Sequence, residues 1–178
     1  MSVLAERLLE VHAALDHAGV PHAFGGAVAL AYCTEEPRGT RDVDVNVFVG
    51  ADQAGPVLRA LPAGVAVDAG DVAAAARDGQ VRVWWDDTPV DVFFDVHDFH
   101  DAAAASVRAV PFSGVMIPVL GCDALAVFKV VFNRTKDWAD VEAMLEVDAF
   151  DRSVVVGWVV RLFGSEDQRT TRLLGLTD

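Results

Sequence analysis

In the strand-like segment Asp42–Phe48, polar Asp42, Asp44 and Asn46 alternate with Val43, Val45 and Val47. A period of two marks a strand with one buried face and one polar face. Asp42 and Asp44 lie two residues apart, so their side chains point the same way. Two ionised carboxylates held side by side repel each other, and the pair is costly unless a cation sits between them. The spacing therefore points to a divalent metal site with oxygen ligands, of the kind that suits Mg²⁺ and leaves room for substrate phosphates and water. In a two-metal arrangement such ions activate an attacking hydroxyl and stabilise a leaving oxyanion.

The flanking sequence supplies a framework for that strand. Leu4, Leu8, Val11 and Leu15 recur at helical spacing, and Gly19 follows as a stop signal. Pro21 to Phe24 reads as a short strand running into Gly25-Gly26, with a small apolar helix over Ala27–Tyr32 and a polar loop over Thr34–Thr40. A helix is expected near Gln53–Leu61, where Pro56 is tolerable only in the first turn. Asp71–Arg77 reads as a short alanine-rich helix. Val81–Trp85 and Val90–Phe94 read as strands joined through Asp86-Asp87-Thr88-Pro89, a hairpin signal. Trp84 and Trp85 alternate faces, so one of them is expected in the core. Asp95–His100 carries two histidines without zinc-ligand spacing and is read as a loop. Val115–Leu120 is a further strand. Asp123 is placed to N-cap a helix over Ala124–Phe132, a second helix covers Asp137–Leu145, and Asp151–Leu174 is mostly helical. The expectation is an α/β (α+β) chain: a mixed sheet flanked by helices in residues 1–120, then a helical C-terminal region in residues 121–178.

A third acid on a neighbouring strand would complete the metal site. Asp91, between Val90 and Val92, fits, and Asp95 on the same side of that strand is the alternative. Gly25-Gly26 would let the backbone approach a triphosphate and present N–H donors at a helix start. Lys129 interrupts the apolar run Phe128–Phe132. In a chain whose only lysines are Lys129 and Lys136, it is read as aimed into a cleft. Arg134 is either a phosphate or RNA ligand or a helix cap; Arg41 is either a nucleotide ligand or a counter-charge to Asp42 and Asp44 or to Glu35 or Glu36; and Asp137 is either part of the site or an ordinary first-turn acid.

Composition narrows the classes. The 178 residues suit one domain or a compact core with a helical appendage, and 53% apolar content argues against disorder. A net charge of −13 argues against a general grip on nucleic acid, which needs a basic footprint, while leaving room for an RNA held by a local patch. No apolar run is long enough to span a bilayer, and the first residues lack a signal-peptide pattern. Cys33 and Cys122 stand far apart and form no ligand-spaced pair, so free buried thiols and a reduced, cytoplasmic protein are expected.

The stretch His22–Val49, HAFGGAVALAYCTEEPRGTRDVDVNVFV, resembles the core motif of the DNA polymerase β-like nucleotidyltransferase superfamily. The Gly-Gly, the run Arg38-Gly39-Thr40-Arg41-Asp42-Val43-Asp44 and the later FKVVFNRTKDWADVEAML (Phe128–Leu145) resemble the bacterial AbiEii/MenT-type group, which includes toxins of toxin–antitoxin pairs. The resemblance covers most of the chain to about Leu145. It implies the minimal nucleotidyltransferase fold and Mg²⁺-dependent transfer of a nucleotide from an NTP, with tRNA 3′ ends as acceptor and an antitoxin as partner. It further implies that Asp42, Asp44 and Asp91 bind metal, that Gly25, Gly26, Thr40 and Arg41 lie near the nucleotide, and that Lys129 neutralises phosphate. Arg134, Lys136 and Asp137 or Asp140 make up the late motif. The lysine and late acid stand closer together here than in those toxins, which leaves either Lys129 or Lys136 as the phosphate ligand. A small-molecule acceptor of aminoglycoside type, a protein acceptor, or an idle binding module are the alternatives.

Overall fold

The alternating segment becomes β2 (Val43–Gly50), the middle strand of a seven-stranded mixed sheet in a computed structural model that describes residues 2–176. Val43, Val45 and Val47 are wholly buried, and each such side chain contributes about 1.5–3 kcal/mol by leaving water. That fixes the register, because a slip of one residue would carry the aspartates into the core.

The sheet order is β3-β4-β5-β2-β1-β7-β6. The other strands are β1 (His22–Phe24), β3 (Val65–Ala66), β4 (Gln80–Trp85), β5 (Thr88–Asp95), β6 (Arg108–Phe112) and β7 (Val115–Val119). β2 runs parallel to β5 and antiparallel to β1. Parallel neighbours require a crossover. Here it contains α3 (Ala54–Ala60), β3, α4 (Ala69–Asp78) and β4. The hairpin β4–β5 turns through Asp86-Asp87, with Asp86 at φ 49°. Trp85 packs against the core while Trp84 is exposed.

The helices are α1 (Val3–His17), α2 (Gly26–Thr34), α3 and α4, then α5 (Phe99–Ala105), α6 (Cys122–Phe132), α7 (Thr135–Glu146), α8 (Arg152–Phe163) and α9 (Gln168–Gly175). Pro56 falls in the first turn of α3, where its missing N–H costs nothing. α6 is buried along nearly its whole length and packs against α2, α7 and α8. Among the described residues no helix is long and apolar enough to cross a membrane.

Three sequence expectations are corrected. Cys33, near the end of α2, and Cys122, the first residue of α6, form a disulfide with a Cα–Cα distance of 5.6 Å. They are not free thiols. Distance along the chain hid this pairing, because the sheet brings the two helices together. Asp123 does not cap α6: the N-cap is Gly121, and Asp123 instead accepts a hydrogen bond from the Asp151 N–H at 2.8 Å, fastening the start of α8. The loop expected over Asp95–His100 is short, because α5 starts at Phe99 and buries Phe99 and His100. β6 carried no alternation strong enough to be read, and Pro111 obscured it; it lies at the sheet edge, where proline is tolerated.

Candidate active site

Asp44 on β2 stands directly opposite Asp91 on β5 in the parallel ladder, and Asp42 is two residues before Asp44. One carboxylate oxygen from each of Asp42, Asp44 and Asp91 lies within 4.8 Å of the others. Asp95, the alternative third acid, pairs instead with Gly50 in the ladder and lies 3.7 Å from His100. The choice between the two acids is thus made by register: Asp91 is level with the pair.

The electrostatics of the three acids differ. Burial, and then the neighbouring charges of Asp42 and Asp91, push the Asp44 carboxyl up to about 6. Burial also acts against ionised Asp42. Its hydrogen bonds from the Thr40 hydroxyl and its own backbone, with the charges of Lys136 and Arg82, outweigh that and hold it below the usual carboxylate range. A partly buried cluster of hard oxygen donors in which the central carboxyl, Asp44, resists ionisation is short of positive charge. The residues therefore fit a Mg²⁺-type ion, which would supply that charge through oxygen ligands alone.

The glycine pair abuts the same acids. Gly25 donates its N–H to the Asp44 carbonyl at 2.9 Å and is the N-cap of α2 without any side-chain cap bond. The first N–H groups of α2 are consequently available to an anion. Gly26 has φ +50°, and a Cβ there would lie 1.8 Å from Asp44 Oδ2.

Basic residues converge from two places. The loop after α2 brings Arg38, Thr40 and Arg41 to the cleft, and the α6–α7 corner brings Lys129, Arg134 and Lys136. That corner is fixed by Asn133, in the left-handed region at φ 55°, whose side chain accepts the indole N–H of buried Trp138 at 2.7 Å. Arg134 bonds Asp137 at 2.6 Å and lies over the Phe132 ring. Asp137 sits in the first turn of α7 and also accepts from the Arg134 backbone N–H. Lys129 is almost fully buried. Its ammonium donates to Asp140 at 2.6 Å and is 3.5 Å from Asp137. Asp140 also takes two bonds from Arg38. Lys129 therefore reaches the cleft already engaged by two acids, whereas Lys136 lines it from the more exposed corner. Among the described residues Arg41 has no ion pair, neither with Asp42 and Asp44 nor with an acid of its own loop.

Two features of the site lie outside the motifs of the sequence. Arg82 on β4 faces Asp91 across the hairpin and grips it with two bonds of 2.7 Å. The signal was present: a two-residue turn at Asp86-Asp87 pairs residue 82 with residue 91 by register alone. The second is α4, whose Asp71, Ala74 and Asp78 share one face and line the cleft beside Gln80. The cleft has a volume of about 1340 Å³. That exceeds the roughly 300–1,000 Å³ usual for one small ligand, so there is space for a nucleotide and an acceptor together.

No family model and no curated protein matches the sequence. Solved structures do match in shape. The crystal structure of ANT(2'')-Ia in complex with adenylyl-2''-tobramycin gives a TM-score of 0.64 at 12% identity, over 90% of this chain and 99% of that one. The solution structure of the antibiotic-resistance factor ANT(2'')-Ia gives 0.62 at 12% identity, over 89% and 92%. A Thermotoga maritima protein assigned as a nucleotidyltransferase gives 0.51 at 13% identity, over 80% and 92%. At such identities the likeness is one of fold, and the chain has the nucleotidyltransferase fold.

Proposed function

We propose that the chain is a Mg²⁺-dependent nucleotidyltransferase that moves a nucleoside monophosphate from an NTP to an acceptor hydroxyl. The observation that carries this reading is the meeting of Asp42, Asp44 and Asp91 beside the bare N-terminus of α2. Asp42 and Asp44 would hold the metal, with Asp91 as the third ligand, and bound metal would lower the charge on the phosphates and the acceptor oxygen. Gly25, Gly26 and Thr40 flank the triphosphate, and Arg41, Arg134 and Lys136 neutralise it. Lys129 adds positive charge from beneath while holding Asp137 and Asp140 in place. Asp91 orients the acceptor hydroxyl toward the α-phosphorus. The hydroxyl proton passes to Asp91, the new oxygen–phosphorus bond forms as the bond to the bridging oxygen breaks, and pyrophosphate leaves.

For the acceptor, the resemblance to the AbiEii/MenT-type group supports an RNA 3′ end, tRNA first. On that reading the protein is a toxin with a cognate antitoxin. A specific observation favours a second acceptor, a small hydroxyl-bearing cation. Asp71 and Asp78 line the cleft from α4, and although Asp71 caps its helix and Asp78 pairs with Arg77, each carboxylate keeps lone pairs for another donor. The net charge of −13 points the same way. The solved relative bound to adenylyl-2''-tobramycin has the same fold.

The test is incubation of pure protein with each α-³²P-labelled NTP, Mg²⁺ and either total bacterial tRNA or a panel of aminoglycosides, beside Asp42→Asn. Labelled RNA absent from the variant supports the toxin reading, and a labelled small molecule supports the second. Label on neither, with NTP still bound, points to a protein acceptor. Failure to bind Mg²⁺–NTP, or activity that survives in Asp42→Asn, refutes the mechanism.

A further inference from the structure

Arg82 is the cation in direct contact with the acidic triad. Its guanidinium bonds both oxygens of Asp91 at 2.7 Å and comes within 4.0 Å of Asp42 Oδ2. The contact is built into the sheet, since residues 82 and 91 are cross-strand partners in β4 and β5. A paired fork of this kind covers the carboxylate edge from which a small cation would coordinate. It also places a fixed positive charge beside the position a divalent ion needs. Asp91 is mostly buried, with its side chain 15% exposed, whereas that of Arg82 is 49% exposed. Asp91 therefore stays in place, and Arg82 is the partner able to leave. Where it can go is set by the cleft, which Arg82 lines together with Thr40, Arg41 and Lys136, the side chains placed to meet phosphate. Guanidinium forks pair with phosphate in the same bidentate manner as with carboxylate.

We propose that Arg82 is a positioning residue with two alternative partners: Asp91, where it keeps a divalent cation off that carboxylate, and the phosphates of the incoming nucleotide, which draw it away so that the metal centre closes only around bound substrate. The inference rests on the nucleotidyltransferase reading above. It makes metal and nucleotide binding mutually dependent, since Arg82 must give up Asp91 for either to bind fully.

The experiment is a Mn²⁺ titration followed by the electron paramagnetic resonance of free Mn²⁺, with and without a non-hydrolysable α,β-methylene NTP. It compares the wild-type protein with Arg82→Gln and Arg41→Gln. Arg41 lines the same cleft without an ion pair to the triad, so its variant controls for the loss of one charge. Arg82→Gln is expected to bind Mn²⁺ alone about tenfold more tightly than wild type, and the tightening by the NTP analogue should shrink by a similar factor, a usual size for coupling between sites. Arg41→Gln loses a phosphate contact and should bind the analogue more weakly, but at saturating analogue its tightening of Mn²⁺ should equal that of wild type. Equal Mn²⁺ affinity in wild type and Arg82→Gln, or an equal shift in both variants, overturns the role of Arg82. Asp42→Asn in each background separates the two levels. If it removes Mn²⁺ binding while Arg82→Gln has no effect, only the Arg82 proposal fails. If it leaves Mn²⁺ binding intact, the metal centre fails and takes the proposal with it.

Discussion

Gly26 and Asp44 compete for the same space: a Cβ on Gly26 would lie 1.8 Å from Asp44 Oδ2 and 2.6 Å from its Cγ. The glycine also sits at φ +50°, where a side chain adds roughly 1 kcal/mol or more of backbone strain. Gly26→Ala should displace the Asp44 carboxylate from the other two acids and lower transfer about a hundredfold, the penalty typical of a misplaced reacting group. Gly39 lines the same cleft, but a Cβ there would meet nothing within 4 Å, so Gly39→Ala should stay near wild type. Rates per folded molecule, with circular dichroism to verify folding, check the contrast. Equal losses in both variants would refute it.

Much of this arrangement was legible in the chain because it is local. The period of two across Asp42–Phe48 placed both aspartates on one face, and the hairpin pattern set Asp91 on a strand. What decided between Asp91 and Asp95 was the register of β5 against β2, which spans some forty residues of intervening chain and leaves no periodic trace. The same distance hid the partners of Lys129. An isolated lysine in an apolar helix reads as a cleft residue, and only the packing of α7 on α6 supplies Asp137 and Asp140. The pairing of Arg82 with Asp91 follows from the hairpin register alone, but an arginine on a strand is usually a solvated face and by itself carries no signal.

Disulfide formation between Cys33 and Cys122 ties the helix that carries Gly26 to the helix that carries Lys129. It closes a sequence separation of 89 residues, and cross-links over long loops typically add about 2–4 kcal/mol, mainly by restricting the unfolded chain. Cys33→Ser should lower the urea midpoint by an amount equivalent to that range, and wild-type protein in reductant should match the variant. Thiol titration of denatured, unreduced protein should find no free cysteine. Two free thiols, or a midpoint insensitive to reductant, would contradict the bridge.

Asp140 is the acid on which the cleft's buried charges depend. It is 2% exposed and receives Lys129 from α6 and Arg38 from the loop after α2. Asp140→Asn leaves a buried ammonium facing only Asp137 and frees Arg38. Breaking a buried pair from one side costs about 3–5 kcal/mol. Lys129→Met removes the ammonium but leaves Asp140 with Arg38, so its cost should be clearly smaller. Urea unfolding of both variants tests the order. A milder loss in Asp140→Asn than in Lys129→Met would mean that Arg38 contributes little.

His22 should make stability depend on pH below neutrality. Its Nδ1 lies 2.8 Å from the Val20 carbonyl, an acceptor only, so Nδ1 carries the proton. Nε2 must then accept from His12 Nδ1 at 2.9 Å. A second proton on His22 would require His12 to give up the proton on its Nδ1 and would place a charge in a largely buried position. Burial first, then the charge of His12, hold the His22 pKa below the ordinary 6.5, although the Val20 carbonyl and Asp16 pull it up. The folded protein thus prefers the neutral ring. Its contribution is fully present above pH 6.5 and is lost as pH falls below 6.5 toward the lowered folded value. His100, also buried and lowered, adds in the same direction. The raised Asp44 carboxyl works in the opposite direction but is common to both proteins, so the urea midpoint of the wild type should lose more, or gain less, between pH 7.5 and pH 5.5 than that of His22→Gln, which cannot titrate. An unchanged slope in the variant would show that the pair formed with His12 has no part in the pH dependence.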